Sequence, residues 1–80
     1  MKPSRSSIEA FQAVIRGWKP TKGTHPDMRE IYKDDRAALR KVLSEYRKGN
    51  YNEAYRLVWR MGIVKNIIPP SCYDDIVKNR

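Results

Sequence analysis

The chain has 80 residues, with 17 lysines and arginines against 9 aspartates and glutamates, and a formal net charge of +8. This length predicts one domain spanning residues 1–80 and excludes a catalytic cleft between two lobes. The charge favours a polyanionic partner, either nucleic acid (DNA or RNA) or an acidic surface of a protein or ribonucleoprotein complex.

Cys72 is the only cysteine, so an internal disulfide is excluded. This fits a reducing compartment, and we expect a cytoplasmic location. The first residues carry no apolar region after their charges, so no signal peptide is predicted. No stretch has the length needed to span a bilayer. A role at a membrane surface ranks third among the functions considered, because the basic helix face lies beside an apolar face that so small a core needs for itself, and no membrane partner is expected.

The first predicted helix covers about residues 6–18. Ser6 and Glu9 fit a capping box, in which each side chain bonds a free backbone N–H. Pro20 ends the helix. Its apolar residues recur at helical spacing, at Ile8, Phe11, Val14, Ile15 and Trp18. The loop that follows carries Lys19 and Lys22, which can contact phosphate, although a solvated connector is the simpler interpretation.

The second predicted helix is the longest, covering about residues 25–48. Thr24 is its expected cap, and Pro26 suits a first turn because its missing N–H is not needed there. His25 is interpreted as a helix-start residue. One face is apolar and should meet the core, with Met28, Ile31, Tyr32, Ala38, Leu39, Val42 and Tyr46, and Leu43 at its margin.

A second face of this helix is basic, and its cations recur at steps of 4, 3, 4 and 7 residues: Arg29, Lys33, Arg36, Arg40 and Arg47. At about 100° per residue, these side chains lie within roughly 60° of one another. Acidic residues form a third face, at Asp27, Glu30, Asp34 and Glu45. The basic face is either a solvated surface that complements the helix dipole or a binding surface.

The third predicted helix covers about residues 51–61, after a turn at Gly49 and Asn50. So short a turn predicts an antiparallel pair. The inner residues are Tyr51, Ala54, Tyr55, Val58 and Met61, with Arg56 and Arg60 outside. Aromatic residues interleave with cations around this turn, which is a pattern found in single-strand binding. Core packing is the simpler interpretation for Tyr55 and Trp59, and less so for Tyr51.

The apolar run of Ile63, Val64, Ile67 and Ile68 should close the base of the core. Ser71 is the expected cap of a short last helix, about residues 71–78, that buries Tyr73, Ile76 and Val77. The corner at Gly62 is similar to that of a helix-turn-helix motif. The following Pro69-Pro70 and the acidic Asp74 and Asp75 disfavour a DNA-reading helix there.

Enzymatic signatures are missing from the sequence: it has no glycine-rich phosphate loop, no His/Cys ligand cluster and no nucleophile motif. The adjacent pairs Asp34-Asp35 and Asp74-Asp75 point about 100° apart on a helix, so neither pair converges on one atom. One histidine and one cysteine do not make a zinc site. We expect a non-enzymatic protein without cofactor or metal.

The predicted fold is all-α, a compact bundle of three helices plus the short C-terminal helix. The predicted function is that of a small basic nucleic-acid-associated regulator, contacting the phosphate backbone through a basic helix face. The alternative is a small inhibitor or adaptor, of the phage or mobile-element type, that docks on a larger protein or ribonucleoprotein complex. The oligomeric state is left open. The candidate binding residues are Arg29, Lys33, Arg36, Arg40, Arg47, Lys48, Arg56, Arg60, Lys19 and Lys22.

Overall fold

The computed structural model describes residues 2–20, 23, 25–62 and 66–80. These ranges contain four helices and no strand: α1 (Arg5–Gly17), α2 (Pro26–Arg47), α3 (Tyr51–Met61) and α4 (Pro70–Asn79). The all-α prediction is confirmed, and every predicted helix end lies within one residue of the observed one. No helix in the described part of the chain is long and apolar enough to cross a membrane.

The four helices pack in a ring around one core. Helix α2 packs against α1 and α3, and α4 closes the ring by packing against α3 and α1. Residues 48–50 join α2 to α3, with Gly49 at a φ of 82° in the left-handed region that glycine adopts readily. The Asn50 N–H donates to the Glu45 carbonyl at 2.9 Å, which satisfies a free carbonyl at the end of α2. So short a connection imposes the expected antiparallel arrangement.

Tyr46 lies at the centre of the core and is fully buried. Its ring centroid is 6.0 Å from those of both Phe11 and Tyr51, so it links α1, α2 and α3. Its hydroxyl donates to Asp75 Oδ2 of α4 at 2.7 Å. The other buried side chains are Ile15, Leu39, Val42, Leu43, Ala54, Val58, Ile68, Cys72 and Ile76. The described residues contain no buried side-chain nitrogen or oxygen that lacks a hydrogen-bond partner.

Three acidic groups of the core have raised pKa values. Burial raises the pKa of the Tyr46 phenol above its ordinary 10.0, and the hydrogen bond to Asp75 adds to the effect. Burial also raises the pKa of Tyr51 and that of the Cys72 thiol, whose ordinary value is 9.0. The folded chain thus keeps these groups neutral at a pH where the unfolded chain ionises them.

This difference predicts loss of stability in alkali. The stabilising contribution is complete below the unfolded pKa values and is lost as the pH rises through the higher folded ones. We expect the free energy of unfolding in urea to be clearly lower at about pH 10.5 than at about pH 8. Because Cys72→Ala removes one of the three groups, its free energy of unfolding should fall less steeply with rising pH. A free energy of unfolding that is constant or rises over this range would contradict the assignment.

Helix α1 begins at a different serine from the predicted one. Ser4, not Ser6, is the N-cap, and its hydroxyl accepts from the Ser7 N–H at 3.3 Å. The predicted capping box of Ser6 and Glu9 is therefore wrong. The earlier start places Arg5 one helical turn before Glu9, and Arg5 Nε lies 3.1 Å from Glu9 Oε1. Glu9 thus forms an i, i+4 ion pair with Arg5 instead of capping the helix.

We expect Ser4→Ala to lower the free energy of unfolding by about 1 kcal/mol, because the Ser7 N–H loses its partner at the helix start. Ser6→Ala is the matched control. Ser6 is exposed in the first turn and caps nothing, so its replacement should change stability by less than about 0.5 kcal/mol. Urea unfolding followed by circular dichroism measures both. Equal losses in the two variants would contradict the observed cap.

The starts of α2 and α4 also use caps other than the predicted ones. His25 caps α2, its Nδ1 accepting from the Asp27 N–H at 3.2 Å, whereas Thr24 lies outside the described residues. At α4 the Pro69 carbonyl accepts from Cys72 N at 2.9 Å, and Ser71 lies inside the helix, so the predicted Ser71 cap is wrong. Proline is well suited to the first helical position, which explains why α4 begins at Pro70.

The segment between α3 and α4 is too long for a helix-turn-helix corner. Helix α3 ends at Met61 and α4 begins only at Pro70. In such a motif the turn takes three or four residues. Ile68 lies in the core and Ile67 packs against it, as predicted for the end of the apolar run. The predictions for Ile63 and Val64 fall outside the described residues.

The apolar face of α2 is only partly buried. Met28 is 38% exposed and Ile31 is 48% exposed, although their spacing predicted core positions. At about 1.5 Å per residue α2 is roughly 33 Å long, against about 20 Å for α1 and 16 Å for α3. The contacts of Trp18 with Tyr32 and Asp35 place the end of α1 beside the middle of α2. The first turns of α2 therefore extend beyond their neighbours, which explains the exposure.

Candidate nucleic-acid interface

A groove of about 780 Å³ runs between the end of α1 and the middle of α2. Among the described residues, four cations and no carboxylate line it, while Ile15 and Leu43 form part of its floor. We call it the basic groove. Its lining residues are Gln12, Ile15, Arg16, Lys19, Pro20, Arg36, Arg40 and Leu43.

Trp18 fixes the α1 side of the basic groove. Its indole Nε1 donates to Asp35 Oδ2 at 3.1 Å, and its ring centroid lies 5.3 Å from that of Tyr32. The Trp18 carbonyl in turn accepts from an Arg36 guanidinium nitrogen at 2.8 Å. These contacts hold the end of α1 against α2, so the adjacent Lys19 is placed by the fold and not by the loop alone.

Arg36 differs from the other cations of the groove because it is half-buried and already makes this structural bond. A guanidinium has five N–H donors, so the bond to the Trp18 carbonyl leaves others for an anion in the groove. The cation also lies at the C-terminal end of α1, where the helix dipole favours positive charge. Arg36 thus has a role in folding that its position on the basic face of α2 did not predict.

A second, smaller groove continues along α2 from the first. It shares Arg40 and Leu43 with the basic groove and adds Ser44, Arg47 and Lys48. Lys48 Nζ lies 3.5 Å from Glu45 Oε1, so part of its charge is neutralised. The hydrogen bond from Asn50, and then the charge of Lys48, lower the pKa of Glu45. Arg47 is exposed and forms no ion pair with any described residue.

Arg29 and Lys33 lie outside both grooves. Both are exposed: Arg29 lies in the part of α2 that extends beyond α1 and α3, and Lys33 lies between Tyr32 and Asp35, the residues that Trp18 contacts. Helical geometry puts them on the same face as Arg40, so they extend the line of positive charge from the basic groove toward the start of the helix. Neither forms an ion pair within the part of the chain that is described.

Arg56 and Arg60 belong to a separate groove on α3. It is lined by Glu53, Tyr55, Arg56, Leu57, Trp59 and Arg60, and shares no residue with the basic groove. Arg56 lies 3.4 Å from Glu53 Oε2, whereas no ion pair of Arg60 is found among the described residues. The ten predicted binding residues therefore do not form one surface.

Arg16 is a residue of the basic groove that is not among the predicted binding residues. Arg16 is exposed and lines the basic groove together with Lys19, three residues further along. Nothing in the sequence tells which side of α1 faces α2, so two cations near a helix end were the only available signal. Lys22, the other predicted loop cation, lies outside the described residues.

Comparison with known proteins assigns no family and no function to this chain. No protein-family model, no curated protein and no solved structure matches the chain. The described residues also contain no group of three or more His, Cys, Asp or Glu side chains placed to hold a metal ion. The case for a function therefore depends on the grooves themselves.

Proposed function

We propose that this chain is a small nucleic-acid-binding regulator that contacts the phosphate backbone through the basic groove. One observation carries the proposal: Arg16, Lys19, Arg36 and Arg40 line a single groove to which the described part of the chain contributes no carboxylate. Arginine and lysine bind phosphate oxygens through charge-assisted hydrogen bonds, and at least about half of the hydrogen bonds between proteins and DNA go to phosphate and sugar.

The electrostatics of the groove favour an anion. Arg16, Lys19 and Arg40 form no ion pair with any described residue, so their mutual repulsion is relieved only by solvent, salt or a ligand. A polyanion neutralises several cations at once and releases the counterions that accompanied its phosphates. The net charge of +8 also speeds the approach of such a ligand over that of a neutral one.

The length of the charged surface suits a nucleic-acid strand. Arg36 and Arg47 are eleven residues apart on α2, a rise of about 16 Å along the helix. One strand of a duplex presents a phosphate about every 3.4 Å of its axis, so roughly five phosphates fall within this distance. The cations of the two adjoining grooves can thus meet several consecutive phosphates of one strand.

The dependence of binding on salt tests the proposal. If Arg16, Lys19, Arg40 and Arg47 each meet a phosphate, the slope of log affinity against log salt is about −3.6 for duplex DNA and about −2.8 for a single strand. Duplex affinity should then fall roughly 150-fold between about 50 and 200 mM salt, as measured by fluorescence anisotropy. Absence of binding at low salt would refute the proposal.

Met28 and Ile31 favour a second function, docking on a larger protein or ribonucleoprotein complex as an inhibitor or adaptor. Both are apolar and exposed on the extended start of α2, where an apolar partner surface can cover them. Pull-down from extract treated with nuclease, comparing wild type with Met28→Ser/Ile31→Ser, tests this function. A protein retained by wild type and lost by the variant supports it, whereas equal retention refutes it.

A further inference from the structure

Trp59 is the most exposed large hydrophobic side chain described. It is 57% exposed, against 48% for Ile31 and 38% for Met28. The position is not a chain end or a loop, since Trp59 lies within α3 beside the buried Val58. Tryptophan is usually well buried, and at exposed positions it is enriched in binding interfaces. Core packing therefore does not explain its presence here.

The indole is placed by its neighbours. The ring of Tyr55, one turn earlier on α3, lies 6.0 Å from that of Trp59 at an interplanar angle of 64°. Tyr55 itself packs against the core, and the Arg80 guanidinium lies 4.2 Å from the centre of its ring. A side chain held in this way loses little conformational entropy when it binds a ligand.

The groove around Trp59 favours an aromatic ligand that carries negative charge. Arg56 and Arg60 line the same groove as the indole, and Glu53 is the only acidic residue among the described residues of its lining. Because Glu53 lies 3.4 Å from the Arg56 guanidinium, its charge is at least partly matched. A largely exposed indole in a groove with two arginines combines the residue types with which proteins stack a base and neutralise its phosphate.

We infer that Trp59, with Arg56 and Arg60, is a stacking site for an unpaired base, so that the preferred ligand is single-stranded nucleic acid. In a duplex the bases are stacked on each other and do not offer a face to a side chain. The inference rests on the proposed nucleic-acid binding, with the basic groove holding phosphates and Trp59 holding a base. The stacking site predicts that the ligand is single-stranded and not a duplex, whereas the basic groove alone predicts neither.

The test compares two single strands of equal charge. One is an oligothymidylate of about 12 nucleotides, and the other is an abasic deoxyribose-phosphate strand of the same length. Anisotropy at fixed salt gives the affinity of each for wild type, Trp59→Ala and Trp59→Phe. We expect wild type to bind oligothymidylate roughly fivefold or more tightly than the abasic strand, since stacking is worth about 1–3 kcal/mol per base.

Trp59→Ala should lose this preference and bind the abasic strand as wild type does, whereas Trp59→Phe should retain part of it. In addition, oligothymidylate should quench the emission of Trp59. This emission is the part of the wild-type tryptophan fluorescence that Trp59→Phe lacks. Equal binding of the two strands by wild type, or an unchanged preference in a folded Trp59→Ala, would overturn the inference.

A basic-groove variant separates the two proposals. Replacing Arg16, Lys19 and Arg40 with alanine should weaken binding of both strands equally and leave the preference for bases unchanged. If that variant binds both strands as wild type does while Trp59→Ala loses the preference, the basic-groove proposal fails and the stacking site stands. If only the stacking-site inference fails, the groove variant still binds both strands more weakly than wild type, and Trp59→Ala binds both strands as wild type does.

Discussion

Phe11→Ala is expected to leave the chain largely unfolded at 25 °C. Phe11 is fully buried and contacts the central Tyr46 across the interface of α1 and α2. Removing a buried phenylalanine costs about 3–5 kcal/mol, because the apolar side chain is lost and a cavity is left behind. A single core of 80 residues has about that much stability in total. Circular dichroism and urea unfolding measure the loss.

Trp59→Ala is the matched control, since it also removes an aromatic ring. Trp59 is more than half exposed, so its replacement should cost much less, about 1 kcal/mol, and the variant should fold. A Phe11→Ala chain that unfolds at the same urea concentration as wild type would show that the described core is incorrect. An unfolded Trp59→Ala chain would show that the indole is part of that core.

The triple variant Arg16→Ala/Lys19→Ala/Arg40→Ala is expected to lose roughly 100-fold in affinity for a single strand at about 0.1 M salt. Each cation that meets a phosphate contributes about 0.7 to the salt slope, so the slope should become less steep by about 2. Arg36 is left in place because its bond to the Trp18 carbonyl contributes to the fold. The variant should therefore unfold at nearly the wild-type urea concentration.

The matched control removes the same charge from elsewhere. Lys2, Arg5 and Lys78 are exposed and lie outside the basic groove. Replacing them with alanine also lowers the net charge from +8 to +5, three positive charges being lost. This second variant should lose no more than about threefold in affinity, since distant charges are screened by salt. Equal losses in the two variants would mean that net charge, and not the groove, determines binding.

The helices were predictable because their signals are local. The periodic apolar residues, Pro20, Gly49 and the Pro69-Pro70 pair each specify a boundary within a few residues of themselves. The caps were less predictable. Ser4, Ser6 and Ser7 all suit an N-cap, and the Arg5–Glu9 ion pair that accompanies Ser4 is worth only a few tenths of a kcal/mol. So small a difference is not resolved by pattern alone.

Burial was predictable near the middle of each apolar face and not at its margins. Tyr51 is 7% exposed and Trp59 is 57% exposed, the reverse of the order expected for them. Trp59 lies eight residues after Tyr51, and eight residues make two full helical turns and about 80° more. Its side chain is therefore rotated away from the buried side on which Tyr51 lies. Met28 and Ile31 were misplaced for another reason, since the lengths of neighbouring helices determine how much of α2 is covered.

The candidate site was predictable only in part. The positive face of α2 follows from spacing alone, and Arg36, Arg40 and Arg47 do lie along the two adjoining grooves. The other wall of the basic groove comes from α1, and its placement depends on the contacts of Trp18 with Asp35 and Arg36. Such contacts join residues 17 and 18 positions apart, which no periodicity within one helix can indicate.

The central claim is that anions bind between α1 and α2. Titrating the isotope-labelled chain with oligothymidylate and following its backbone amide resonances by NMR tests this claim most directly. We predict the largest shifts along the basic groove, at residues 12–19 of the first wall and 36–47 of the second. Amides of α4 and of the first turns of α2 should shift little. Large shifts around Met28 and Ile31, with unchanged resonances at Arg16 and Arg40, would contradict the account.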